Sequence, residues 1–315
     1  MELIWVTHPD NYDPDVHRTL KSEGNDRIAL FTARGYHVRV AHVSDLVPGW
    51  DGRPRLWWHD EDLLATPRGF MFSTWAWDSA AAAQVSAILT TVRASGSVVL
   101  NDAIDGPAQL ADDKLAMYHH AGGIGVPVLP TIAVPFGRYA RRVLAVARAL
   151  ESPGSSGYVL KPRDMAMGYG VLRCATAEQL ASAVDLIAPG GLGCIVQPFH
   201  EHSADLRVFV RRGKVIGAMH RSPVQGNELA NISRGANPTA SDVADDMAEL
   251  STRLADSVDA EYLCVDWLLA PAGPIFNEWM TVSAGFEDLP EPDRSRVADA
   301  LLDYIADRLG PLSAR

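Results

Sequence analysis

The chain has 315 residues, and its 28 Lys and Arg stand against 39 Asp and Glu, a formal net charge of −11. That balance argues against a nucleic-acid-gripping surface, because neutralising a duplex needs clustered cations, but it leaves room for a small phosphate ligand held by a few local ones. Hydrophobic residues at 47% and charged residues at 21% describe an ordinary soluble composition, and the length supports a core without a disulfide or metal staple.

In chain order, the first third alternates strand-like and helix-like segments. Leu3–Thr7 is a short apolar run, Asp15–Arg34 fits a helix with a thin apolar stripe, and His37–Val43 alternates before a break at Pro48-Gly49. Gly69–Ser73 is a further strand, Asp78 can cap a helix over Ser79–Ala94, and Ser97–Leu100 returns as a strand. This alternation predicts a small parallel sheet with covering helices. The middle opens with a helix over about Gly106–Ala121, stopped by Gly122-Gly123, then Val126–Thr131 and a second helix over Arg138–Leu150. The turn cluster Ser152–Gly157 precedes a strand over Tyr158–Lys161, Thr176 caps a helix over Ala177–Ile187, and Pro189-Gly-Gly191 marks a domain break. The last third carries two hairpins. Leu206–Val210 and Val215–Met219 flank Arg211–Lys214, and Tyr262–Leu269 and Pro274–Glu278 flank Ala270–Gly273. With helices over about Ser241–Val258 and Pro290–Leu309, this part predicts an α+β unit with an antiparallel sheet.

The N-terminus has no basic region and no long apolar run, so it reads as a strand rather than a signal peptide. No window reaches the ~20 apolar residues of a membrane span. Cys174, Cys194 and Cys264 are isolated, lack metal spacing and imply a reducing compartment; the cytoplasm is the expected home. Nor do the histidines show a metal-binding spacing.

Three constellations carry chemistry. Asp266 and Glu278 each lie six residues from Ala272, the middle of the second turn. A hairpin symmetric about Ala272 makes them cross-strand neighbours, with Cβ atoms about 4.5–5.5 Å apart. Carboxylates that close repel unless a proton or cation sits between them, and hard oxygen donors suit Mg²⁺ bridging phosphates. The competing reading is two exposed strand acids, against which the flanking apolar runs argue. Lys161 ends an apolar strand before the loop Arg163–Gly170, whose Gly168 and Gly170 match neither a Walker A nor a GxGxxG pattern. Such a lysine can reach a phosphate or simply extend into solvent. Arg207, Arg221, Asn231 and Arg234 follow one another through the first hairpin. They are either an anion-binding face or an outer face of solvated side chains. A regular hairpin centred between Arg212 and Gly213 puts Asp205, Arg207 and His220 on one face and Arg221 on the other. In the first third, Trp75, Trp77 and Asp78 read most simply as core aromatics and a helix cap.

Taken in order, Asn101-Asp102, Asp113-Lys114, Gly125–Thr131, Val159–Pro162 with its glycine loop, Ile195–Phe199, Asp205–Val210, Ala218–Arg221, Asn231, Arg234-Gly235, Val265-Asp266 and Phe276–Glu278 resemble the ATP-grasp superfamily, specifically its RimK-like amino-acid and peptide ligases. The resemblance covers roughly residues 100–290. It implies an ATP-grasp fold, α/β and α+β. The expected domains are an N-terminal α/β domain (1–104), a central lid-bearing domain (105–190) and a C-terminal domain with an antiparallel sheet (191–315), with ATP between the last two. Lys114 and Lys161 then look like the lysines on the ATP phosphates, and Arg163–Gly170, with Gly168 and Gly170, like the loop that closes over them. Gln197, Pro198 and Phe199 match the segment that reads the adenine edge, and Asp205 the ribose-binding acid. Arg207, Arg221, Asn231 and Arg234 match groups near the transferred phosphate and the acyl substrate, and Asp266 and Glu278 the magnesium carboxylates.

One departure stands out. The family pattern places an Asn two residues after the Glu as a further magnesium ligand; here that residue is Met280, a poor ligand for a hard cation. Asn277 is adjacent, but strand alternation points it to the opposite face. The family's Pro before Gly285 is also missing.

The resemblance implies ATP and Mg²⁺ as cofactors and a small amino-acid-like molecule as substrate, with no nucleic-acid or membrane partner; a homodimer is the default expectation. The implied activity is ATP-dependent carboxylate–amine ligation through an acyl phosphate. The amide forms between two molecules or by cyclisation, as in D-cycloserine-synthetase-like cyclo-ligases of antibiotic or secondary-metabolite pathways. The alternatives are a peptide- or protein-modifying amino-acid ligase, an ATP-grasp phosphotransferase, or a nucleotide-binding module without catalysis.

Overall fold

A computed structural model of the chain describes residues 1–7, 26–73, 79–101, 113–151, 154–165, 168–222 and 237–313. The N-terminal part holds a parallel sheet in the order β2-β1-β6-β7, from Glu2–Thr7 (β1), His37–His42 (β2), Gly69–Ser73 (β6) and Val98–Val99 (β7). Both faces of β1 are buried, which is why it reads as a continuous apolar run. Ile4 and Val6 pack with Ile88 and Val92 of the helix Ser79–Arg93 (α2). Leu3 and Trp5 pack instead with Phe31, from a helical stretch over 26–33 (α1), and with the C-terminal helix Asp293–Ser313 (α7).

The expected break at Pro48-Gly49 is instead strand. Leu46–Trp50 (β3), Pro54–Trp58 (β4) and Glu61–Asp62 (β5) form a separate antiparallel sheet. Pro48 is tolerated because β3 is an edge, and Gly49 lets the Trp57 ring close on the backbone, 2.8 Å from where a Cβ would stand. Trp75, Trp77 and Asp78 lie outside the described residues.

In the middle, Asp113 caps the helix Lys114–Gly123 (α3), its Oδ1 accepting from the Leu115 N–H at 2.9 Å. The earlier part of the expected helix, and the expected division at 104/105, fall outside the described residues. Ile132–Ala133 (β8), Ser155–Pro162 (β9), Leu172–Cys174 (β10) and Cys194–His200 (β11) form a sheet in the order β10-β9-β11-β8. It is covered by Val143–Ala149 (α4) and Ala177–Ile187 (α5), through Ala147, Leu180 and Val184. Thr176 caps α5 as expected. Because β11 pairs with β9, a division after residue 190 would cut this sheet.

The C-terminal sheet runs β14-β13-β12-β15-β16, from Asp205–Arg211 (β12), Lys214–Ser222 (β13), Asn237–Ala240 (β14), Tyr262–Ala270 (β15) and Gly273–Met280 (β16). The helix Asp245–Ser257 (α6) covers one face through Met247, Leu254 and Ala255. The other face meets α7 through Phe209, Tyr262 and Cys264. The β12–β13 turn has positive φ at both Arg212 and Gly213, the geometry that suits the right-handed twist of a hairpin. Phe276 joins the middle segment to this sheet, donating its N–H to the Pro127 carbonyl at 2.8 Å.

Two one-residue bulges decide what faces the site. Ile216 is extra on β13, because Phe209 pairs with Gly217 and Val210 with Val215. The bulge places Arg221 opposite Asp205, and so corrects the expectation that Arg221 and Arg207 face opposite ways. Asn277 is extra on β16, because Asp266 pairs with Glu278 but Trp267 with Phe276. Phe276 and Trp279 enter the same core cluster, so both residues between them leave that face. Asn277 therefore does not oppose Glu278, as simple alternation required.

Candidate active site

The site builds outward from Asp266, which is 2% exposed. Arg207, one strand away, grips both its oxygens: Nε donates to Oδ1 at 2.8 Å and Nη2 to Oδ2 at 2.9 Å. Arg221 Nη2 donates to the same Oδ2 at 2.8 Å. Burial alone would push this carboxyl up, but the two guanidiniums outweigh it and hold its pKa at about 2. Arg207 stays charged, its own pKa raised by Asp266 against the opposing effect of burial. Asp266 is thus an anion that the paired arginines share, supplied from within the protein.

Asp205 lies beside this cluster, its Oδ2 3.6 Å from Arg221 Nη2. Its Oδ1 is buried without a hydrogen-bond partner among the described residues, 3.7 Å from His202 Nε2. Burial raises the pKa of Asp205, and Arg221 only partly offsets it.

The two lysines arrive from the middle segment and meet neighbouring residues of β16. Lys114, the first residue of α3, lies 3.3 Å from Glu278 Oε2 and donates to the Met165 carbonyl. Lys161, near the end of β9 and 7% exposed, donates to the Tyr118 hydroxyl at 2.6 Å and to Asn277 Oδ1 at 3.2 Å. Burial pulls the Lys161 ammonium down to about 8, against the opposing pull of Glu278 and Asp205. Asp113 ties the base of α3 to the strand end, accepting from Arg163 Nε at 3.0 Å. Gly168 and Gly170 both take positive φ, and a Cβ on Gly170 would stand 2.7 Å from Pro162 Cγ.

Gln197, Pro198 and Phe199 lie together on β11. Gln197 donates to Thr131 Oγ1 at 2.7 Å. The register slips between Pro198 and His200, and the Phe199 ring lies 3.9 Å from the Arg173 guanidinium and beside His202. Asn231 and Arg234 lie outside the described residues.

Several site residues carried little signal in the sequence. Tyr118 stands four residues after Lys114 on α3, a spacing that puts both on one helix face. Asn277 gave none, since a bulge has no sequence mark. Arg27 gave none either. Its guanidinium donates to the Val282 and Ala284 carbonyls at 3.1 Å each and to Glu287 at 2.8 Å, across 255 or more positions of sequence. Arg207 holds the same loop, donating to the Gly285 carbonyl at 3.2 Å.

These residues fit a nucleotide and a hard cation. Lys114, Lys161, Arg207 and Arg221 can meet phosphate oxygens, and the orphaned Asp205 oxygen can accept from a hydroxyl. Asp266 and Glu278 offer hard oxygens, although no group of three or more His, Cys, Asp or Glu suited to a metal occurs among the described residues. Two carboxylates suffice for Mg²⁺, which takes its other ligands from water and phosphate. Met280 does not join them; its Sδ accepts from Arg207 Nη2 at 3.6 Å.

Residues 129–305, more than half of the chain, match the model of the RimK-like ATP-grasp domain. Over 223 residues the chain is 25% identical to a probable alpha-L-glutamate ligase 2 of Shewanella baltica (strain OS155), spanning 70% of this chain and 71% of that protein. The crystal structure of D-cycloserine synthetase DcsG superposes with a TM-score of 0.68 at 18% identity, covering 96% of this chain and 99% of that one. The ATP-grasp ligase PsnB, complexed with precursor peptide PsnA2 and AMPPNP, superposes at 0.60 and 17% identity, with 96% of each chain covered. The two structures share the fold, and the family match, together with the named relatives, places the activity: the chain belongs to the RimK-like ATP-grasp family and is an ATP-grasp ligase of the carboxylate–amine class.

Proposed function

We propose that this ligase uses ATP to activate the carboxylate of a small amino-acid-like substrate as an acyl phosphate, which an amine then captures as an amide. The observation that carries the reading is the convergence of Lys114 and Lys161 on β16 beside the Arg207–Asp266–Arg221 cluster. In the first step a carboxylate oxygen bonds to the γ-phosphorus and the bond to the ADP oxygen breaks. In the second the amine nitrogen bonds to the acyl carbon, phosphate leaves with the C–O electron pair, and the amine gives up a proton. Lys114 and Lys161 hold the phosphates, while Arg207 and Arg221 offset charge on the transferring group. Asn231 and Arg234 belong to the acyl end in this reading, and Gln197, Pro198, Phe199 and Asp205 to the nucleoside end. Magnesium, held by Asp266 and Glu278, would supply further charge neutralisation on the phosphoryl oxygens.

A small substrate is supported by the names of two similar proteins, a probable alpha-L-glutamate ligase and a D-cycloserine synthetase, and a specialised route such as antibiotic biosynthesis is part of this proposal. The test is ADP release across amino acids, dipeptides and their ureido and hydroxamate analogues, each with and without an amine acceptor. Turnover that requires both partners supports the reading. A stable phosphorylated product without an amine would make the protein a phosphotransferase, and turnover confined to peptides would make it a peptide ligase. Unchanged turnover in Glu278→Ala would show that the metal assignment is wrong.

A further inference from the structure

We infer that Arg27 is a positioning residue for phosphoryl transfer: from the N-terminal part it fixes the loop 281–287, and that loop aims Arg207 through the Gly285 carbonyl. The inference rests on the role proposed for Arg207 above. A guanidinium has five N–H bonds in a planar fork. Asp266 meets the Nε–Nη2 edge of Arg207, and the Met280 sulfur accepts a further bond from Nη2. Nη1 is the nitrogen left over, and among the described residues its hydrogen bond goes to the Gly285 carbonyl at 3.2 Å. The lie of that carbonyl therefore helps to set where Nη1 points.

The carbonyl is held in turn from the far end of the chain. Arg27, 3% exposed on α1, donates to the Val282 and Ala284 carbonyls at 3.1 Å each and to Glu287 at 2.8 Å. It thus grips the residue directly before Gly285 and the one two places after it. Its guanidinium is itself confined, 5.7 Å from the centre of the Trp5 ring and 5.2 Å from that of Phe286. A second tie sits at the start of the loop, where Asn101 donates to Thr281 Oγ1 at 2.9 Å while closing both backbone bonds of Phe72 on β6. The N-terminal sheet and the reacting end of the C-terminal sheet are joined through one loop with an arginine on each side. A displacement of about 1 Å at a reacting group can cost on the order of 10²-fold, so a clamp two steps away can matter to the transfer step. The competing role for Arg27 is stability alone. That role would move the affinity for every nucleotide together, whereas aiming Arg207 moves only what depends on the third phosphate.

The test uses the full chain with Mg²⁺ and compares ADP with AMPPNP by calorimetry, under conditions where urea unfolding shows each variant folded. The readout is the preference for AMPPNP over ADP. Arg207→Ala should lower that preference by about tenfold or more, the scale of losing a hydrogen bond to a charged group. Arg27→Ala should lower it by about fivefold, within the roughly two- to thirtyfold that positions off the ligand exert, with ADP affinity held within about twofold. Arg27→Lys should recover part of the loss. In the Arg207→Ala background, Arg27→Ala should change the preference by less than about twofold, because two residues acting through one contact are not additive. Thr281→Val, which removes the Asn101 tie alone, should lower the preference in the same direction and carries the comparison if Arg27→Ala does not fold. The inference is overturned if the clamp variants leave the preference unchanged, if they weaken ADP by the same factor as AMPPNP, or if their effect is as large without Arg207 as with it. Arg207→Ala is the control for the reading beneath it: an unchanged preference in that variant places Arg207 away from the transferring phosphate, and the failure then belongs to the proposed function.

Discussion

Raising the pH from 7 to 9 should discharge Lys161 and weaken nucleotide binding. Lys161 is buried, and its ammonium is held by one hydroxyl and one amide oxygen rather than by a directly bonded carboxylate. Burial pulls its pKa from the ordinary 10.5 to about 8, with Glu278 and Asp205 pulling the other way. At pH 7 roughly nine-tenths of the chains carry the charge, and at pH 9 roughly one-tenth. If phosphate binds the ammonium form alone, the Kd for metal-free ADP rises about tenfold across that span, or about 1.4 kcal/mol. The phosphate's own last proton leaves near pH ~6, below the window. Stability should move the other way. Between pH 8 and 10.5 the unfolded chain binds the Lys161 proton and the folded chain has lost it, so folding gains up to roughly 3 kcal/mol as pH rises. Calorimetry in EDTA at pH 7, 8 and 9, paired with urea unfolding at the same values, reads both slopes. Lys161→Arg, which does not titrate here, should flatten them. A pH-independent ADP affinity in the natural chain would refute the placement of a protonated Lys161 against the phosphates.

Asp266→Asn removes a charge that both Arg207 and Arg221 bind directly, and should cost about 3 kcal/mol in urea unfolding while abolishing the metal-dependent gain in ADP affinity. Arg27→Ala strips Glu287 and two loop carbonyls of their buried donor and should destabilise by about 3 kcal/mol, measured by the urea midpoint; Arg27→Lys should recover part of it. Gly157→Ala should cost about 2 kcal/mol or more, because φ there is +87° and a Cβ would stand 2.4 Å from the Cys174 carbonyl oxygen. The same change at Gly123, open to 4 Å and without positive φ, should be near neutral or stabilising in the same melt.

Much of the fold was legible where physics is local. β6 and α5 fall on the expected residues because one is an apolar run between turns and the other has a Thr cap. The pairing of Asp266 with Glu278 was legible too, but by two compensating departures. The turn is centred between Pro271 and Ala272 rather than on Ala272, and the extra Asn277 restores the register. The same one-residue event at Ile216 turned Arg221 toward Asp205. Hairpin arithmetic resolves register only to the nearest bulge, and a slip of one reverses every side chain beyond it. Arg27 was invisible for another reason: its partners are a loop from the far end of the chain, and nothing in a local window marks a buried arginine as a clamp.

The site also explains how an acidic chain keeps a cation cluster. Lys114, Lys161, Arg207 and Arg221 are interleaved with Asp205, Asp266 and Glu278, so the cluster is nearly neutral although its chemistry is cationic. Neither set stands alone: without the acids the closely placed cations would repel one another, and without the arginines Asp266 would be a buried carboxylate with no opposite charge to offset its burial. Asp266 is the hinge of this arrangement, because each guanidinium it releases becomes available to an incoming phosphate, and each one it keeps competes with a metal for the same oxygens. Affinity for metal and for phosphate should therefore be coupled through Asp266, each strengthening the other. The distant charge that makes the chain −11 contributes little to that coupling, since exposed charges beyond about 10 Å are screened at ordinary salt.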